Sequence, residues 1–418
     1  MAKPHLIRFR RYYLRIYFVI LICSLIFLSS GLSAKERNSE FTFNTQSEYW
    51  PTYGWKTSTP EMQGMSSKDL IGLFEQIESK KLPINSVLVI RNGYIVAEAN
   101  IQNSKSSLYQ IYSSTKSISS ALVGIAISKK YIKSIDQPII DFFPNLDRSK
   151  KAPLLAGISL KHLLTMSCGF EWPEIQTGYL SPFNPLVKML RSQNWNEYLF
   201  AQPIIQQPGQ LFNYNSGCAH LSLSILRQAG LNVSEFAQKY LFTPLGIEAK
   251  HYKWEKDPIG TPNGSHGLHM SPRDMAKFGY LYLKGGFWEG SQIIPKSWVI
   301  ESTMKHIKMT WGGKKDNYYG YYWYVHSLGF HSLGYYGQYI FVIPNHEIVV
   351  VFTSHLSPHD ILAPIHLLGK HILPAVKKSI PLDENSKAYQ MLRSKIKTLY
   401  GDNIIDKIFI RFKNIFKY

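Results

Sequence analysis

The spacing of apolar residues changes character several times along the chain, and each change predicts an element. In SSKDLIGLFEQIESKK, residues 66–81, apolar positions recur three and four apart behind a Ser that can cap, which predicts a helix. SVLVIRNGYIVAEA, residues 86–99, is instead two apolar runs around Asn92-Gly93, the strongest short hairpin signal. From Ser113 to about Gly230 the signals are helical, with loops expected at Pro153, Gly169 and Pro208. SPRDMAKFGYLYLKGG, residues 271–286, reads as a further helix: Ser271 caps it, Pro272 suits its first turn and Gly285-Gly286 stops it. Beyond it YGYYWYV, GQYIFVIP and HEIVVVFTS read as strands, the last two joined at Pro344-Asn345. Hairpin, helical middle and strands, in that order, predict an α+β (mixed α/β) fold. Its antiparallel sheet is drawn from both ends of the chain and flanked by helices, with a helical region of about 113–265 inserted between.

The two ends differ from this body. Ile16–Ala34 holds no Asp, Glu, Lys, Arg or His and follows five Lys or Arg residues. A basic segment before a run close to the roughly 20 residues that span a bilayer predicts a signal peptide or an N-terminal membrane anchor over residues 1–34. Either predicts an exported body, periplasmic or anchored to the inner membrane of a bacterium. Residues 35–60 read as a linker, 61–380 as one domain, and 381–418 as a basic amphipathic tail. In that tail Ile404, Ile408, Phe412 and Ile415 share a face opposite Lys407, Arg411 and Lys417, so a membrane surface is an expected partner. The net charge of +19 is concentrated in these ends: +5 through Arg15 and +6 from Lys387 onward leave +8 for the body. A nucleic-acid partner would call for the excess on a folded face, so none is expected. Cys168 and Cys218 read as buried thiols, although an oxidising compartment permits one disulfide between them. The histidines are scattered and make no metal pattern; neither metal nor cofactor is expected.

Candidate chemistry begins at YSSTKS, residues 112–117. Ser113 stands where a loop enters a helix, and Lys116, three residues on, shares its face. A Ser hydroxyl is a weak nucleophile until a base takes its proton, and a Lys serves as base only where burial or a neighbouring cation lowers its pKa. The start of a helix also directs free N–H groups at a developing oxyanion. The spacing alone carries little, since Ser302–Lys305 and Ser394–Lys397 repeat it, and a capped helix with a solvated Lys is the ordinary reading. A second loop-to-helix junction, QQPGQLFNYNSGCAHLSLSIL, presents Tyr214, Asn215 and Ser216. A phenol held among cations can serve as phenolate or proton relay, which suits a Ser–Lys–Tyr acyl-transfer site.

With these boxes in hand the chain resembles the serine hydrolases of the class C β-lactamase and penicillin-binding family, nearest the branch of 6-aminohexanoate-dimer hydrolase and related esterases. The likeness runs in order over roughly residues 60–370, through YSSTKSISSALVGIAISKKYIKSIDQPIIDFFP, LKHLLTMSCGFEW, PGQLFNYNSG, HGLHMSPRDMAKFGYLYLKGGFWEGSQIIPKSWV and HSLGYYGQYIFVIP. It implies a β-lactamase/transpeptidase-like fold, Ser113 as acylated nucleophile, Lys116 as its base and Tyr214 as proton shuttle to the leaving group. It places the third box on Ser332, Leu333 and Gly334, with the Tyr335 N–H completing an oxyanion hole, and it makes Ser216 a substrate-binding residue. Two departures count against penicillin: Ser216 stands where such enzymes carry Asn, and the third box lacks the cation that pairs with a substrate carboxylate. His331, one place out of register, reads as structural. The expected activity is hydrolysis of a small ester or linear amide through a Ser-linked acyl-enzyme. The alternatives are a penicillin-recognising β-lactamase or D,D-carboxypeptidase, and a catalytically silent wall- or membrane-associated binding protein.

Overall fold

The structure, a computed structural model, describes residues 41–100, 107–146, 152–309 and 317–400. The segment 1–34 and the apolar face at 404–416 lie outside the described residues. Among those described, no helix is long and apolar enough to cross a membrane.

Helix α1, Ser67–Ser79, begins where the Ser66 hydroxyl accepts from the Asp69 N–H, and it buries Leu70, Leu73, Phe74 and Ile77. Strands β1, Ile84–Arg91, and β2, Tyr94–Asn100, form the expected hairpin. Asn92 and Gly93 both take positive φ, 51° and 85°, as a two-residue primed turn requires. A short strand β3, Tyr109–Gln110, leads into helix α2, Thr115–Ser128, and helix α3 spans Ser216–Gln228. Strands β4, Tyr252–Trp254, and β5, Leu268–Met270, join β3 in a three-stranded sheet of order β3-β5-β4. Helix α4, Pro272–Leu283, is capped by Ser271, and a small hairpin of β6, Phe287–Trp288, and β7, Ser291–Gln292, follows it.

The remaining strands are β8, Ile307–Lys308; β9, Tyr318–Tyr319; β10, Tyr324–His326; β11, Gly329–Gly334; β12, Gln338–Ile343; and β13, Ile348–Ser354. They complete an eight-stranded sheet in the order β2-β1-β13-β12-β11-β10-β9-β8. The N-terminal hairpin therefore pairs with the last strand, antiparallel, from Ile84 opposite Ser354 to Arg91 opposite Ile348. Alternation along β1 divides the core: Leu88 and Ile90 face the helical region, Val87 and Val89 face α1. Helix α2 is buried on every side from Thr115 to Ala126, so its register against the sheet is imposed by packing all round it.

Four local expectations are corrected. Residues 41–60 do not behave as a linker: Phe43 and Trp55 are buried, and Trp50 packs its ring against Tyr280 and Trp288. Within YGYYWYV the backbone bends between β9 and β10, with Tyr322 at φ 62° and its N–H on the Leu164 carbonyl, so Tyr321, Tyr322 and Trp323 all plug the core. Pro153 falls inside a short helix, Ala152–Ala156. Residues 386–400 of the expected tail form helix α5, Ser386–Tyr400, which packs on α1 with Leu392 buried. Cys168 and Cys218 are both buried free thiols.

Candidate active site

Ser113 lies in a single 3-10 turn, Tyr112–Ser114, that precedes α2. Tyr112 takes the left-handed conformation, φ 46°, which is costly for a residue with a Cβ and is held here by packing of its ring against Tyr335 and Tyr336. One helical turn on, Lys116 Nζ stands 2.9 Å from Ser113 Oγ and 2.9 Å from the Ser265 carbonyl. Tyr214 comes from the loop ahead of α3: the Lys116 ammonium lies 4.8 Å from its ring centre, and its phenol hydrogen-bonds Ser113. The three residues expected from separate boxes thus converge on one hydroxyl. The rival spacings do not: Ser302 is buried with its hydroxyl on the Val299 carbonyl, and Ser394 is exposed on α5.

The electrostatics of the three are unequal. Lys116 is 1 % exposed, and burial pushes its ammonium down from 10.5 to about 8, with the Glu174 carboxylate pulling the other way. A neutral amine is therefore accessible close to neutral pH. Tyr214 moves in the opposite sense, its phenol driven well above 10.0 by burial, so at neutral pH it is a proton donor and not a phenolate. His266 is pushed down to about 3 by burial and by the Lys116 ammonium, and stays neutral. Its Nε2 accepts from the Asn263 amide, which leaves Nδ1 as donor to Ser265 Oγ at 2.7 Å. Ser265 Oγ in turn donates to Asn263 Oδ1. This closed network fixes the Ser265 carbonyl that holds Lys116 from behind.

The other expected residues are placed differently. Ser216 does not line the site: it is buried, and both its N–H and its hydroxyl donate to Glu174, at 2.8 and 2.7 Å. Ser332 is also turned inward, donating to Ser114 Oγ at 3.0 Å beneath the nucleophile turn. Alternation on β11 explains this, since Ser332 and Gly334 share the face towards that turn. Gly334 has a steric role: a Cβ there would come 2.1 Å from the Ile111 carbonyl, so only Gly lets β11 lie against the chain entering Ser113. Tyr335 caps the same edge, its ring at 5.9 Å from Tyr112 and 5.1 Å from Tyr179. His331 is buried and stacked on Tyr324, in keeping with a structural role.

Two residues near the site escaped the sequence reading. Glu174 and Tyr179 lie just past GFEW, in a stretch with no periodicity and no motif, and only the fold brings them beside Lys116 and Tyr335. A wide cavity of about 1070 Å³ lies elsewhere, lined by Trp50, Asn92, Tyr94 and Lys284, and includes none of the three converging residues.

Comparison with known proteins agrees with this geometry. A family model described as Beta-lactamase matches residues 70–364. The 6-aminohexanoate-dimer hydrolase of Paenarthrobacter ureafaciens is 24% identical over 227 residues, 51% of this chain and 56% of that enzyme, so the match spans about half of that relative. Among solved structures, one described provisionally as a 6-aminohexanoate-dimer hydrolase from Bacillus anthracis superposes with a TM-score of 0.63 at 20% identity, covering 81% of this chain and 93% of that one. A family VIII carboxylesterase superposes with a TM-score of 0.57 at 13% identity, covering 76% of this chain and 98% of that one. At these identities the two structures show a shared fold.

Proposed function

The chain belongs to the beta-lactamase family, serine hydrolases that include esterases and amide hydrolases, and from that premise we propose that it is an exported enzyme cleaving a small ester or linear amide through an acyl-enzyme on Ser113. The observation that carries the reading is the buried Lys116 amine 2.9 Å from Ser113 Oγ with the Tyr214 phenol on the same hydroxyl.

In this reading neutral Lys116 takes the Ser113 proton as Oγ attacks the carbonyl carbon, and the oxyanion is met by the N–H groups of Ser113 and Tyr335. As the tetrahedral intermediate collapses, Tyr214 gives its proton to the leaving alkoxide or amine and is reprotonated by the Lys116 ammonium. In the acyl-enzyme Lys116 is neutral and Tyr214 protonated as before, the proton lost from Ser113 having left with the alcohol or amine. Water then repeats the cycle: its proton passes to Lys116 as it attacks, the acyl–Oγ bond breaks, and Lys116 returns that proton to Ser113 by way of Tyr214. The neutral edge at Ser332, Leu333 and Gly334 supports a substrate without a carboxylate at that position, because no cation of β11 is there to pair with one. Export, and contact of the C-terminal face with an anionic membrane, belong to the same proposal and are supported by the apolar segment before Ala34 and the basic residues after Lys387.

A fluorophosphonate probe and a fluorescent penicillin, each applied to wild type and Ser113→Ala, test the reading. Labelling of wild type by the fluorophosphonate alone, lost in Ser113→Ala with folding intact, is expected. Labelling by both probes would instead indicate a penicillin-recognising enzyme, and labelling by neither a silent binding protein.

A further inference from the structure

Glu174 is 0% exposed, yet four donors converge on it. Trp172 Nε1 and the Ser216 N–H reach Oε2 at 2.7 and 2.8 Å; the Ser216 hydroxyl and the Tyr179 phenol reach Oε1 at 2.7 and 3.0 Å. These donors come from two segments that border the site. Ser216 is two residues past Tyr214, and Tyr179 packs on Tyr335, whose ring lies beside Tyr112. A buried carboxylate is costly without a counter-charge, and the buried cation it acts on is Lys116.

We propose that Glu174 is the positioning residue of this site, its carboxylate serving as the counter-charge of Lys116 while its hydrogen bonds tie the Tyr179 segment to the start of α3. The inference rests on the reading of Lys116 as the base. Glu174 touches neither Ser113 nor Tyr214 directly and acts through Lys116. Burial drives the phenols of Tyr214, Tyr319 and Tyr324 upward, and likewise the Cys218 thiol on α3; His266 stays neutral. Asp257 is paired with His220 and Glu255 with His269. Glu174 is therefore the carboxylate whose charge acts on Lys116, and its removal changes what Lys116 experiences.

Glu174→Gln separates charge from geometry. The amide oxygen can take the place of Oε2, facing the obligate donors Trp172 Nε1 and the Ser216 N–H. The amide NH₂ then faces two hydroxyls, of Ser216 and Tyr179, which can turn to accept. The pH dependence of fluorophosphonate acylation is measured for wild type and this variant, with the thermal midpoint recorded beside it. Without the counter-charge Lys116 releases its proton more readily, so the acidic limb moves down by on the order of one pH unit. A limb that stays in place while wild type is labelled through Ser113 overturns the inference and leaves the proposed activity standing. Absence of labelling in wild type overturns that activity, and this inference with it. If Glu174→Gln does not fold, the double variant with Lys116→Gln decides. Removing both charges restores folding if the two groups compensate each other, and an unfolded double variant overturns the inference.

Discussion

Lys116→Met tests whether the catalytic amine is held at an energetic cost. Lys116 in the folded protein loses its proton at about 8 instead of 10.5. Between those values the unfolded chain holds the proton that the folded protein has released, so wild-type stability rises with pH across that window. The whole displacement corresponds to about 3 kcal/mol, and the part traversed between pH 7 and pH 9.5 to about 2 kcal/mol. Met has a similar length and no charge, so the variant lacks this slope. Losing the contact to the Ser265 carbonyl alters the variant's stability nearly equally at every pH, and the pull of Glu174 is already contained in the value of about 8, which makes the slope the diagnostic quantity. Urea unfolding of both proteins, followed by tryptophan fluorescence at pH 7, 8 and 9.5, should show the variant losing about 2 kcal/mol relative to wild type as pH rises. Acylation of Ser113 should be absent at every pH. A difference that stays constant from pH 7 to pH 9.5 would refute the reasoning, because Lys116 would then titrate alike folded and unfolded.

Two further outcomes follow from the same geometry. The rate of Ser113 acylation should rise about tenfold per pH unit below a limb near 8 and level off above it, since only neutral Lys116 accepts the proton; a limb near the ordinary histidine value would assign the base elsewhere. Gly334→Ala should lower acylation on the order of 10²-fold, because the new Cβ forces β11 away from the Ile111 carbonyl and shifts the oxyanion edge against Ser113. Unchanged kinetics in a folded Gly334→Ala protein would show that the approach of these two backbones is not needed.

Much of the fold was legible because local signals and global packing agree. The cap at Ser66, the Asn92-Gly93 turn, the Ser271-Pro272 start of α4 and the apolar strands at 338–343 and 348–354 each carry their own structural instruction. The order of these elements was enough to expect an antiparallel sheet drawn from both ends of the chain; that the first hairpin pairs directly with the last strand was decided by the fold. Ser113, Lys116 and Tyr214 were legible as boxes, each a short motif at a helix entrance. What those residues do to one another was not. Spacing cannot tell Ser113–Lys116 from Ser302–Lys305 or Ser394–Lys397; burial of one Lys among α3, the Ser265 loop and the sheet does, since desolvation is what turns an ammonium into a base. The inward turn of Ser216 and Ser332 was likewise undetermined by type, because a Ser serves a substrate or a buried partner equally well until its neighbours are known. Glu174 is the extreme case. A lone acid in a motif-free stretch carries no message in one dimension, and it acquires one only when folding removes its water, surrounds it with four donors and sets it against Lys116.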